Sequence, residues 1–463
     1  MFSAESKFPN KMLQDSSQVS ESEELMNMVG AEDDYEEEET PMLQASPHVT
    51  VEHAICTEVF AIDDHKKTIR TGTLWTTIAH IITAVIGSGV LSLAWSVSQL
   101  GWIGGPVALI CFALVTYVSS SLLSDCYRSP DPVTGTRNCS YIDAVRVILG
   151  EKQAWLCGFL QYLNFYGTGV AYVVTTSTCM SMVWISVIAA IMSFCYSTIG
   201  FGLGVAKVIE NGKIYGSITG VPTISAPLKT WLAFQALGDI AFAYPYSIVF
   251  LEIQDTVKSP PSENKTMKRA SAIAILVTTF FYLGCACTGY AAFGNDTPGN
   301  LLTGFGFYEP YWLIDFANAC IILHLIGGYQ LYSQPVFAYA ERWLTGKFPG
   351  SGFLNKFYGL KLPFLPHFQL NLFRLSFRTS YVVSTTGIAM AFPYFNEILG
   401  LLGGLNLWPL AIYFPVEMYI VQRKIESWSR KWVVLQIFSS LLMVVSAMAF
   451  IGSVAGVIEA KMS

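Results

Sequence analysis

The chain has 463 residues, of which 52% are hydrophobic and 13% are Asp, Glu, Lys or Arg, with a mean hydropathy of +0.46. Soluble domains carry about 25% charged residues, so this composition excludes an ordinary water-soluble globular protein and points to a multi-span membrane protein. The charge is also segregated: residues 1–64 hold sixteen Asp or Glu, with Glu36–Glu39 in one run, against Lys7 and Lys11, a balance of −14 within an overall −6.

Residues 1–70 have too little apolar content to bury and read as an acidic disordered tail, the transmembrane domain occupying 71–463. The tail lacks a basic stretch followed by an apolar core, so no cleavable signal peptide is expected and the tail should stay in the cytosol. Apolar runs of about 20 residues, enough to span a bilayer, follow near 74–95, 101–125, 155–180, 182–208, 231–253, 270–292, 311–337, 376–393, 396–420 and 432–456, about ten in all. The ten cysteines show neither metal-ligand spacing nor a disulfide framework and read as small core residues.

Lys and Arg are retained on the cytoplasmic side of membrane proteins. Arg128, Arg137, Arg146 and Lys152 follow the second run; Lys258, Lys265, Lys268 and Arg269 follow the fifth, and the 293–310 loop has no basic residue. Residue 152 is therefore expected inside and the loop near Pro227 outside, which requires an odd number of crossings between them. The apolar stretch Trp155–Ala206 suits two helices and is too short for three with turns. One spanning element is missing, or one run does not span.

Two runs are interrupted. The first holds Ile86-Gly87-Ser88-Gly89-Val90 at its middle, where each glycine costs about 1 kcal/mol relative to alanine in a helix. The fifth holds Gly238-Asp239-Ile240-Ala241-Phe242-Ala243-Tyr244-Pro245-Tyr246-Ser247, with a proline that removes a backbone donor. Unwound backbone deep in lipid is tolerated only where protein buries it or it lines a cavity. Broken helices at corresponding positions of two halves point to a transporter site. The N–H groups of Gly87, Ser88 and Gly89 suit a carboxylate. Carbonyls near Ile86 and across Asp239, Ala241, Phe242, Ala243 and Tyr244 suit an ammonium, so a zwitterion fits both ends. The bland alternative is close helix packing on small residues.

Ala79-His80-Ile81-Ile82-Thr83-Ala84-Val85-Ile86-Gly87-Ser88-Gly89-Val90-Leu91, Gly238 through Pro245, Ala292-Phe293-Gly294-Asn295-Asp296-Thr297-Pro298-Gly299-Asn300 and Leu407-Trp408-Pro409 through Met418 resemble the plant amino acid permeases of the amino acid/auxin permease family. The resemblance covers nearly everything after residue 70. It implies an all-α polytopic fold of the amino acid–polyamine–organocation type: a five-plus-five inverted repeat of eleven helices, with helices 1 and 6 discontinuous. It further implies a cytosolic N-terminus, plasma-membrane residence and proton-coupled uptake of amino acids, with the proton gradient as driving force and no cofactor. Against that pattern, Tyr172–Met180 and Trp184–Val187 are joined by three residues where the family has an external loop and a fourth helix. The first repeat is therefore incomplete, in agreement with the odd-crossing argument.

Proton coupling needs a group that changes charge within the membrane, where charges are costly. His80 and Asp239 are the candidates, histidine because it titrates nearest neutrality. Asp315, His324, Glu397 and Lys207 have weaker cases, and Tyr329 and Gln330 are a further possible lining element. The partners expected are an amino acid, protons and the lipid bilayer. The spacing offers no P-loop, metal cluster, nucleic-acid patch or catalytic constellation, so the chain is not read as an enzyme. A competing reading makes the shortened chain a transport-incompetent subunit that associates with full-length relatives; mis-splicing or a faulty gene model would leave the same junction.

Overall fold

The computed structural model describes residues 70–173, 183–223, 225–306, 311–360, 368–392 and 394–462. The expected tail before residue 70, the junction after Val173 and Lys361 lie outside the described residues. Helix dominates because apolar side chains satisfy lipid while helical hydrogen bonds satisfy the backbone within each segment. In chain order the helices are α1 Leu74–Val85, α2 Leu93–Asp125, α3 Tyr141–Leu149, α4 Glu151–Val173, α5 Val183–Asn211 and α6 Ala226–Ala243. They continue with α7 Phe250–Asp255, α8 Glu263–Phe293, α9 Leu301–Phe305, α10 Tyr311–Lys347 and α11 Gly352–Asn355. The last four are α12 Leu372–Ala391, α13 Phe395–Trp408, α14 Phe414–Gln422 and α15 Arg430–Met462. Two small antiparallel hairpins lie in the connections: β1 Arg128–Ser129 with β2 Thr136–Arg137, and β3 Phe357–Leu360 with β4 Phe368–Asn371.

Seven helical stretches among the described residues are long and apolar enough to cross a membrane: Leu93–Asp125, Ala189–Asn211, Ala226–Asp255, Glu263–Asp296, Tyr311–Lys347, Phe395–Gln422 and Arg430–Glu459. Sequence runs number ten because three others fall short for physical reasons. The run near 74–95 is cut at Val85, leaving α1 with 12 residues. The run near 155–180 becomes α4, whose interior carries Gln161, Tyr162, Asn164 and Tyr166, and α12 opens with Arg374 and Arg378. Of the cysteines, Cys126, Cys157, Cys285 and Cys320 are buried free thiols as expected, but Cys111 is exposed and Cys139 is in a disulfide.

Charged groups gather at one end of the bundle, here termed the basic face. Glu263, almost fully buried at the start of α8, accepts from Arg70 at 2.6 Å and Arg128 at 2.8 Å. Asp125, at the end of α2, pairs with Lys268 at 2.8 Å and Arg423 at 3.1 Å. A short bridge joins Gly72 to Val257, with Gly72 N–H donating to Thr256 O and Lys258 N–H to Gly72 O. The chain just before α1 is thus tied to the chain just after α7. Outside the spanning segments, burial and the Asp255 carboxylate beside it push the Tyr127 phenol upward from its ordinary pKa.

The odd-crossing problem has a structural answer. Glu151 at the start of α4 pairs with Arg146 near the basic face, Gln161 bonds Ile248 O, and Tyr172 near the helix end reaches Gly87. In α5, Ser193 and Tyr196 stand at the level of Ile86 and Gly87, and Asn211 bonds Ala292 O at the opposite end of α8. Consecutive helices α4 and α5 therefore run in the same direction. Ten residues separate Val183 from the level of Gly87, about 15 Å of helix.

Candidate functional site

Both expected interruptions are real, and they face each other. After α1 the backbone leaves helical geometry at Ile86 (φ −78°, ψ 83°) and Gly87, and resumes as a tight turn at Ser88–Leu91 before α2. After α6 it breaks at Tyr244–Tyr246 and resumes at Ser247–Val249 before α7. The second break is shorter than the sequence suggests, because Gly238 and Asp239 remain helical. Gly238 serves contact instead: a Cβ there would stand 2.6 Å from Gly400 O.

The two glycines of the first break also allow close approach. A Cβ on Gly89 would lie 3.2 Å from Ala243 Cβ, and one on Gly87 would lie 2.9 Å from the Tyr172 hydroxyl. Between the breaks is a small hollow with a cavity volume of about 20 Å3. Its wall includes Gly87, Gly89, Phe242 and Ala243 from the breaks, and Asn164, Thr168, Tyr172 and Asn406 from α4 and α13.

Carbonyls expected to be free are mostly taken. Tyr282 OH on α8 reaches both Val85 O at 2.6 Å and Ala243 O at 2.9 Å, one from each break. Tyr196 OH serves Ile86 O at 3.0 Å and Gly87 O at 3.2 Å, Ser193 Oγ also serves Ile86 O, and Tyr332 OH serves Ala84 O at 3.1 Å. Water cannot satisfy these groups in a lipid core, and an unmade buried hydrogen bond costs about 1–3 kcal/mol. Hydroxyls from the surrounding helices therefore fix the breaks in place.

Polar atoms left over point to a ligand. Asn164 Nδ2 and Asn406 Oδ1 are buried at the hollow and have no hydrogen-bond partner among the described residues. Sequence reasoning missed both. The signal available was an uncharged amide within an apolar run, which alone does not distinguish packing from binding.

Of the candidate residues, Gly87, Gly89, Phe242 and Ala243 line the hollow, and Ser88 opens the turn beside it. Asp239, Ala241 and Tyr244 are fully buried elsewhere. Tyr244 OH turns to Thr279 at 3.3 Å, and its ring packs on Tyr282. Asp239 Oδ2 accepts from Ser96 at 3.3 Å, while Oδ1 is unpartnered among the described residues and faces Gly400 on α13. His80 is half-buried on α1 and does not line the hollow. His324, a lesser candidate, comes closer. Its Nδ1 lies 3.0 Å from Ala189 O and 2.8 Å from Ser193 Oγ, an arrangement that assigns the proton of the neutral ring to Nδ1. Its Nε2 is buried, unpartnered among the described residues, and 3.9 Å from where a Cβ of Gly87 would stand. Asp315 is exposed, Glu397 half-buried, Lys207 paired with Glu210, and Tyr329 bonded to Thr385.

Two broken helices meeting at a shared hollow, inside an all-helical domain with several spanning helices, define a multi-pass membrane protein with a transporter fold. A model of the transmembrane amino acid transporter protein family matches residues 70–184 and 179–459. The chain belongs to that family. It is 52% identical over 442 residues to probable amino acid permease 7 of Arabidopsis thaliana, covering 85% of this chain and 95% of the relative. It is 50% identical to amino acid permease 3 of the same plant, covering 86% and 93%. Lysine histidine transporter-like 6 is 30% identical, covering 78% and 85%. In the first of these, 85% of 463 residues is about 394, so roughly 48 of the 442 aligned positions have no residue here. The family match falls into two segments that meet at 179–184.

Proposed function

We propose that this chain carries amino acids across the plasma membrane into the cytosol together with protons. The observation that carries the reading is the hollow between the breaks, which presents an unpaired donor, Asn164 Nδ2, and an unpaired acceptor, Asn406 Oδ1. A zwitterion supplies the complementary acceptor and donor. Its carboxylate fits the backbone N–H groups of Ser88 and Gly89, where the second half of the first broken helix begins and the helix dipole favours negative charge. Its ammonium fits Ala243 O, which has only a share of the Tyr282 proton while Val85 O also accepts from the Gly87 N–H. The named permeases among the relatives support amino acids as the substrate class.

For the proton, Asp239 and His80 remain candidates, and the bare Nε2 of His324 beside Gly87 adds a third that is close enough to sense the substrate. A membrane potential supplies about 2.3 kcal/mol per charge per 100 mV, equivalent to about fifty-fold accumulation per proton. The test is uptake of radiolabelled amino acids by proteoliposomes holding the purified chain. Accumulation driven by an inward proton gradient supports the proposal, and uptake indifferent to that gradient removes the coupling.

A second reading is favoured by one observation, the roughly 48 relative positions without a counterpart. In it the chain moves nothing and associates with full-length relatives. Expression in a yeast strain lacking amino acid uptake, beside a version with the absent segment restored, separates the two. Growth confined to the restored version favours the subunit.

A further inference from the structure

Between Glu341 and Glu397 the chain has six Lys or Arg and not one Asp or Glu. This stretch leaves α10, passes α11 and the β3–β4 hairpin, and returns into α12. Arg374 and Arg378 share Glu341, at 3.0 and 3.4 Å. Arg342, Lys347 and Lys356 are exposed and have no carboxylate partner among the described residues. Around them large aromatic rings also face outward: Trp343, Phe348 and Phe357 are each about half exposed, at 54%, 51% and 48%. The charges lie over these rings, with Lys347 Nζ 5.0 Å from the Trp343 centroid and the Arg374 guanidinium 5.4 Å from that of Phe357.

An aromatic rim studded with unpaired cations is poorly suited to water alone. Trp343 favours the headgroup level, with its apolar body in the acyl boundary and its N–H outside it, and Phe348 and Phe357 supply apolar surface for the acyl boundary itself. Lys and Arg at that level attract anionic lipid, each contributing on the order of 1 kcal/mol. We infer that the α10–α12 connection is a docking surface for anionic phospholipid of the leaflet it faces, with Arg342, Lys347 and Lys356 holding headgroups and the aromatic rim seated among them. Its charge also complements the acidic stretch before residue 65, but an acidic segment would leave the rings in water, so lipid is the occupant the surface favours.

The test is binding of fluorescent phosphatidylserine to the purified full-length chain in detergent, with phosphatidylcholine as reference. The expected result is a preference for phosphatidylserine that drops at least tenfold in the triple variant Arg342→Gln, Lys347→Gln, Lys356→Gln. About a hundredfold is the ceiling for three surface charges. The charge-preserving set Arg342→Lys, Lys347→Arg, Lys356→Arg should retain the preference, which separates charge from folding. Neutralising Lys424, Arg430 and Lys431, which are exposed and lie in the turn after Arg423, should leave the preference within twofold. The inference is overturned if the two lipids bind equally or if both neutralised sets lose the preference alike. It is overturned too if Glu36→Gln, Glu37→Gln, Glu38→Gln and Glu39→Gln together raise it tenfold, since the acidic segment would then be the occupant.

Discussion

Replacing Tyr282 by Phe removes one oxygen and tests whether the two breaks are held by hydroxyls from outside. The side chain is fully buried, and its hydroxyl reaches Val85 O at 2.6 Å and Ala243 O at 2.9 Å. Losing it takes the donor from Ala243 O, while Val85 O keeps the Gly87 N–H at 2.9 Å. An unmade buried bond costs about 1–3 kcal/mol, and with one carbonyl orphaned the expected loss is about 2–3 kcal/mol, toward the upper end because no water replaces the donor. The control is Tyr244→Phe. That hydroxyl meets Thr279 Oγ1 at 3.3 Å, and Thr279 keeps its own bond to Ile275 O, so the cost should stay near 1 kcal/mol or below. Reversible unfolding of both variants in mixed micelles measures the difference. If Tyr282→Phe proves no more destabilising than Tyr244→Phe, the breaks do not depend on the hydroxyl and the account of the site is wrong.

Glu263→Gln leaves the Arg70 and Arg128 guanidiniums without their shared carboxylate; unfolding in the same micelles should show a loss of about 3 kcal/mol, somewhat below the upper range for buried pairs because both arginines keep some solvent contact. Gly89→Ala inserts a methyl 3.2 Å from Ala243 Cβ, so substrate uptake should drop at least tenfold while the unfolding free energy changes by about 1 kcal/mol. Asn164→Leu should raise the apparent KM for uptake about tenfold with little effect on stability, because it removes an unpaired donor along with only the long 3.5 Å bond that Oδ1 accepts from Thr168 Oγ1. His324→Gln should flatten the pH dependence of uptake, read from initial rates across pH 5 to 8, if the ring nitrogen facing Gly87 carries the proton.

The positions of the breaks were legible because glycine and proline act locally. Gly87 and Gly89 mark the first to within a residue, and Pro245 marks the second. Gly238 misled, since a glycine demanded by a neighbouring backbone looks the same in sequence as one demanded by a turn. The groups that complete the site were not legible. Tyr282 is 197 residues from Val85, and Tyr332 is 248 from Ala84, so nothing local couples them. Asn164 and Asn406 were hidden in the same way, and His324 was visible only as one of several weaker candidates. A polar residue in an apolar run announces that it has some role, and the fold alone decides whether the role is packing or a ligand.

The shared direction of α4 and α5 bears on how this chain comes to be inserted. Hydrophobic segments threaded into a bilayer one after another ordinarily alternate in orientation, which would seat α5 upside-down as it emerges. Its upright pose is pinned in part by a partner made much later, His324 against Ser193, 131 residues further along the chain. Biogenesis must therefore hold α5 unsettled for more than a hundred residues of synthesis. A glycosylation acceptor placed at 212–216 would report how long it waits.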